Sequence, residues 1–179
     1  MTTAPPALAV RPPETAALPV PGIRRRLACF IYEGVLLFGV WMAVGLVYGV
    51  LTRQTHALSG RHGLQAVMFV VLGLYFVYFW SRSGQTLAMQ TWHIRVVTRS
   101  GERVSALRAA CRYLLAWLWF LPALAGWWLS GLQVGGATFV ALTAGVLTYA
   151  ALARLHPDRQ FWHDAVCGTR LVTWRTAQP

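Results

Sequence analysis

Glu33 is a carboxylate inside an otherwise uncharged apolar run, residues 27–51, and Arg26 stands at the basic start of that run. The two are seven positions apart. On a helix that spacing is nearly two turns, so both side chains leave the same face, about 10 Å apart along the axis. A carboxylate turned toward lipid near mid-membrane costs about 2.5–3.5 kcal/mol, far more than one Leu or Val contributes. Glu33 is therefore expected to face the interior of a helix bundle. Two readings stay open. In one, Glu33 is a proton or small-cation site. In the other it is a structural carboxylate satisfied by Arg26, Arg112 or a backbone group.

A second polar group runs from His156 to Asp164 and holds two His and two Asp within nine positions. Imidazole and carboxylate both ligate divalent ions, but this spacing matches no metal signature. It reads as a polar juxtamembrane turn whose acids balance nearby arginines, so neither a metal nor another cofactor is expected. Ser81, Ser83, Thr86 and Thr91 have no general base at triad-like spacing. No phosphate-binding glycine loop or dinucleotide fingerprint is present. The chain is not expected to be an enzyme.

Four apolar runs must position these groups: 27–51, 64–80, 113–130 and 132–153. Each is close to the ~20 residues a helix needs to cross about 30 Å of hydrocarbon. Composition agrees. The 179 residues are 56% hydrophobic and 12% charged, about half the charge of a soluble domain. Mean hydropathy is +0.49. The net charge is nevertheless +11, and all sixteen basic residues are Arg. They lie almost entirely between the runs, where they suit anionic lipid headgroups rather than nucleic acid. Cys29, Cys111 and Cys167 form no disulfide framework or metal spacing, and Cys29 and Cys111 read as small apolar fillers.

Fourteen of the sixteen arginines fall on one side if the N-terminus is cytoplasmic, leaving Arg53 and Arg61 outside. The positive-inside rule then gives four spans with both termini in the cytoplasm. The fold class is an all-α membrane bundle with a small cytoplasmic layer built from 81–108 and 154–175. Residues 1–22 hold six of the nine prolines and read as a disordered or extended tail, not a signal peptide. Residues 23–175 form the domain, and 176–179 are a tail. The outer loop is 52–63, and Ser130–Gly131 is a tight outer turn. Pro122 is expected to kink the third span. Trp127 and Trp128 sit at the outer interface and Trp80 at the inner one. Gly45 and Gly49, with Ala141 and Gly145, have the spacing of close helix packing, within the chain or between copies. Within the layer, Gly84–Gln90 suits a short interfacial helix. Trp92–Thr98 and Thr169–Trp174 suit two strands that pair, with Arg99–Glu102 as a turn.

Three short segments resemble the RDD family of bacterial membrane proteins. They are Arg25-Arg26-Leu27-Ala28-Cys29-Phe30-Ile31-Tyr32-Glu33-Gly34, then Gly84-Gln85-Thr86-Leu87 followed by Ile94-Arg95-Val96-Val97, then His163-Asp164-Ala165-Val166-Cys167-Gly168-Thr169. The resemblance covers most of 23–174. It makes Arg26 the family arginine, places Glu33 where the first Asp belongs, and makes Asp164 the second Asp. Glu for Asp keeps the charge but moves it by one methylene. Ala88 and Met89 depart from the Gly and basic residue the family often carries there. The resemblance implies a multi-pass protein of the bacterial inner membrane, with a suggested role in transport and no substrate named. Asp164 would then meet Glu33 from the cytoplasmic side. A transporting bundle of four thin spans would work as a homo-oligomer, through the Gly45 and Gly49 face. The alternative is a non-transporting scaffold whose arginine-rich face, including Arg95, Arg99 and Arg103, binds a protein partner, not identified by the sequence, or anionic lipid.

Overall fold

A computed structural model describes residues 18–53, 61–117, 135–152 and 160–174, with the single positions 120, 125 and 155. Helix α1 spans Ile23–Leu51 and α2 spans Arg61–Arg82. At 29 residues, α1 is about 43 Å long, more than a hydrocarbon core requires. Both helices are long and apolar enough to cross a membrane. Their apolar side chains are not covered by protein. Val35, Leu46 and Leu51 of α1 are 67%, 71% and 77% exposed, and Leu74 of α2 is 65% exposed. In water such a surface would associate, whereas lipid covers it. The buried residues of α1 are Arg26, Cys29 and Glu33. This inversion, polar side in and apolar side out, is what a bilayer imposes.

At one end of these helices lies a compact layer. It contains α3 (Leu87–Thr91), β1 (Ile94–Thr98), the start of α4 (Ala106–Ala116), α6 (Trp162–Val166) and β2 (Thr169–Thr173). Helix α5 (Gly135–Leu152) precedes α6. β1 and β2 pair antiparallel, with Ile94 opposite Thr173 and Thr98 opposite Thr169. Ile94, Val96, Val172 and Thr169 are almost fully buried, so this two-stranded ribbon is a core element. A lone hairpin is marginal in water; here helices and loop edges supply what it lacks. Gln160 is buried beside β2, accepting from Leu171 N at 3.0 Å and donating to Leu171 O at 3.3 Å. Thr173 N donates to Pro19 O at 2.8 Å. Both contacts occupy strand-edge groups that would otherwise be open.

The three consecutive arginines have three different roles. Arg24 is exposed. Arg25 donates from Nε to Trp92 O and from Nη2 to His93 O, each at 2.5 Å, tying α1 to the start of β1. Arg26 is buried and donates from Nε to Pro21 O at 2.8 Å. On the other side, α2 and α4 approach closely at Gly73, where a Cβ would lie 3.1 Å from the Tyr113 ring. Tyr113 donates its hydroxyl to Phe69 O at 2.8 Å.

Several expectations change. α1 starts at Ile23, four residues before the apolar run, so all three arginines are helical. The expected interfacial helix is α3, a five-residue helix that buries Ala88 and Met89 against the layer and leaves Leu87 half exposed. Gly45 and Gly49 have nothing within 4 Å of a Cβ position, so they do not mediate packing among the described residues. Residues 18–22 are joined to the fold through Pro19 and Pro21. Only the start of the expected third span is described, as α4 up to Ala116 and Trp117. The tails 1–17 and 175–179, most of the loop at 54–60, Pro122, Trp127, Trp128, the Ser130–Gly131 turn, and 156–159 lie outside the described residues. So does the side chain of Ala141.

Gly84 has φ +73°, and a Cβ there would stand 2.7 Å from Val96 O. Gly84 also accepts Val96 N through its carbonyl at 2.8 Å. The left-handed backbone alone costs a non-glycine residue about 1–2 kcal/mol. Gly84→Ala should therefore lower the thermal midpoint in detergent by several degrees. A midpoint equal to wild type would show that this junction does not hold the layer.

Candidate functional site

The polar side chains converge where the layer meets α1, α2 and α4. Glu33 is 7% exposed. Its Oε1 accepts from the Tyr75 hydroxyl at 2.7 Å, and its Oε2 accepts from the Thr86 hydroxyl. Thr86 is fully buried and is also the N-cap of α3, where its oxygen accepts from Met89 N at 3.2 Å. One hydroxyl thus caps a helix as acceptor and holds the intramembrane carboxylate as donor. Among the described residues Glu33 has no ion pair. The expected lean of Arg26 toward Glu33 gives way to a contact with Pro21 and a stack on Phe161, with the guanidinium 5.1 Å from the ring centre.

Asp164 is completely buried and does not meet Glu33. Arg112 of α4 takes it instead, through Nε to Oδ1 at 2.7 Å. Arg112 lies 4.0 Å above the Trp80 ring, which covers one face of the guanidinium, and the residue is buried. The Thr169 hydroxyl donates to Asp164 O at 3.2 Å and Oδ1 at 3.3 Å. Burial is the largest single influence and disfavours the Asp164 carboxylate, but the charge and hydrogen bond of Arg112, with the neighbouring basic groups, together outweigh it and hold the pKa below the usual 3.8. His163 stacks within 15° of parallel in a set of three rings with Tyr149 and Phe161. Its Nδ1 is 3.1 Å from the Tyr149 hydroxyl. Burial pushes the His163 pKa from 6.5 down to about 4, so the ring is neutral at pH 7. The segment expected as a polar juxtamembrane turn is, from Gln160 through Asp164, mostly interior; only Trp162 among these is exposed. Its acid is buried because a partner 52 positions earlier neutralises it.

Arg26, Glu33, Arg112 and His163 line one cavity of about 390 Å³. The remaining walls are largely apolar and aromatic side chains of α1, α2 and α4, closed below by Met89, Ile94 and Leu171 of the layer. Asp164 stands behind Arg112 and does not line it. Of the three expected site residues, two therefore share the cavity, and the third orients a wall residue. Tyr75, Thr86, Arg112 and His163 complete the set. Thr86 carried a signal, a hydroxyl just before a short helical segment, but nothing local tied it to Glu33.

Breaking a buried ion pair leaves an uncompensated charge and costs about 3–5 kcal/mol. Asp164→Asn should unfold the layer at a markedly lower temperature, read by thermal melts in detergent. The pH dependence follows from His163. Above pH 6.5 the imidazole is neutral folded or unfolded. Between 6.5 and about 4 the unfolded chain takes up a proton that the folded ring does not, so stability falls as pH falls. Asp164 adds a further loss below pH 3.8. His163→Gln should flatten the melting-temperature profile between pH 6.5 and 4; an unchanged slope would exclude His163 as its source.

No curated protein and no solved structure matches the chain. The profile of the RDD family matches residues 20–168. That match takes in Arg26, Glu33, the Gly84–Thr86 segment and the His163–Asp164 pair in one run. The helices with lipid-facing apolar surface and the match over most of the 179 residues lead to one conclusion: this mostly helical membrane protein belongs to the RDD family.

Proposed function

We propose that the chain is a four-span protein of the bacterial inner membrane, both termini cytoplasmic, that binds and moves a proton or small cation at Glu33. The orientation rests on the arginine distribution, fourteen against two. The end layer is then the cytoplasmic face. The observation that carries the functional reading is the company Glu33 keeps: two hydroxyl groups, a cavity, and no counter-cation at ion-pair distance among the described residues. A purely structural carboxylate is best served by an arginine, as Asp164 is. Hydroxyl partners can instead be shared with a proton or a weakly held cation.

The test is flux in proteoliposomes, with a pH dye inside and an imposed cation gradient. Glu33→Gln should reduce proton or cation movement at least tenfold while the melting temperature stays close to wild type. Thr86→Val and Tyr75→Phe should fall between. Equal flux in wild type and Glu33→Gln would remove Glu33 from the mechanism.

A second reading is a scaffold that holds anionic lipid or a protein partner on the same face. It is favoured by the exposed Arg24, Arg82, Arg99, Arg103 and Arg108. Arg95 drops out of that set, because it stacks 4.4 Å over Trp174. On this reading Arg99→Gln with Arg103→Gln and Arg108→Gln strips co-purifying anionic lipid, seen by native mass spectrometry, whereas Glu33→Gln does not.

A further inference from the structure

The cavity beneath the end layer has unmet donors at one end and hydrocarbon walls at the other. Arg26 and Arg112 are each 6% exposed. Each has a single hydrogen bond, through Nε, and neither has a partner for its terminal amino groups among the described residues. Trp80 Nε1 is buried and unpartnered as well. Buried donors without acceptors are unfavourable unless something supplies the acceptor. The charge balance says what kind. Asp164 neutralises Arg112. His163 is uncharged at pH 7. Arg26 has no ion-pair partner among the described residues, and Glu33 is about two helical turns away. A ligand carrying one negative charge completes the polar end, whereas a cation there meets two guanidinium groups.

The rest of the cavity sets the shape of the ligand. It extends along α1 from Arg26 to Leu37, eleven residues or about 16 Å. Leu37, Leu72, Phe76, Trp117 and Phe120 form its far walls. A volume of about 390 Å³ lies in the range of small-molecule sites and holds one hydrocarbon or aromatic tail, not the two chains of a bilayer lipid. We propose that this cavity binds a single-tailed monocarboxylate, its carboxylate on the terminal amino groups of Arg26 and Arg112 and its tail between α1, α2 and α4. Arginine suits the task because its planar fork matches a carboxylate. The proposal stands apart from ion movement at Glu33. Removing the Glu33 charge is expected to abolish flux on that reading and to strengthen anion binding on this one.

Trp80 and Trp117 line the cavity and report on it directly. Full-length protein in nanodiscs is titrated with a brominated dodecanoate, and tryptophan quenching is followed. A brominated dodecyl trimethylammonium of equal length is the control. The anion should quench saturably, at least about tenfold more tightly than the cation. Arg26→Gln should weaken it about tenfold, and Glu33→Gln should tighten it several-fold. Gly34 lines the cavity and has nothing within 4 Å of a Cβ position. Gly34→Leu is therefore expected to occupy part of the cavity and to abolish saturable quenching while the melting temperature holds. Displacement by benzoate would identify a water-borne acid as the ligand. Displacement only by long-chain carboxylates would identify one drawn from the membrane. Equal quenching by anion and cation, or undiminished quenching in Gly34→Leu, overturns the proposal.

Discussion

A carboxylate sealed from water needs close partners for its charge, and the end layer is arranged around meeting that demand for Asp164 with a cation. Arg112 reaches it from α4 and fixes α6 in place. The same guanidinium rests on Trp80 of α2, so one charge pair ties three helices together. Thr169, at the head of β2, closes on the backbone and side chain of Asp164, which sets where the strand begins. A buried pair of this kind adds little net stability over an apolar substitute, but losing one member is severe. Its value is in specifying one arrangement: the helices can be slid past each other only by separating the charges.

Glu33, also a buried carboxylate, finds a different solution. It is satisfied by neutral hydroxyl groups, and one of them is also a helix cap. The short α3 is consequently positioned by a side chain of α1. Glu33 is thereby linked through the Thr86 hydroxyl to the first turn of α3, which leads into β1. The juxtamembrane arginines act in parallel, since Arg25 holds the carbonyls at the start of β1 while Arg26 stacks on Phe161.

The sequence was most legible where chemistry is local. The β-branched runs IRVVT and TRLVT announce strands, and the structure pairs them. The long apolar run around Glu33 announces a helix whose one acid must turn inward, and Glu33 is indeed buried. What stayed hidden depends on contacts distant in sequence. Asp164 finds Arg112 across 52 positions, and Glu33 finds Thr86 across 53. Neither choice is written in local spacing, because several arginines and hydroxyls were equally plausible partners. In the segment at 160–164 the balance of an acid by an arginine could be expected, but the depth of its burial could not, because the arginine lies 52 positions earlier. Arg26 misled through geometry. Seven-residue spacing put it on the face of Glu33, but an aromatic ring and a carbonyl nearer the helix start compete better for a guanidinium.

The end layer joins pieces from both extremities of the described chain: Pro19 before the first helix, β1 in the middle and β2 after the last. During synthesis α6 and β2 follow α1, α2 and α4. Before they emerge, Arg112 lacks its counter-ion and Phe161 is absent from above Arg26. The layer is consequently completed only once α6 and β2 have been made, when this stretch folds back like a clasp onto α1, α2 and α4. A nascent chain stalled short of residue 160 leaves the layer open, with the guanidinium groups of Arg112 and Arg26 without the carboxylate and ring that cover them.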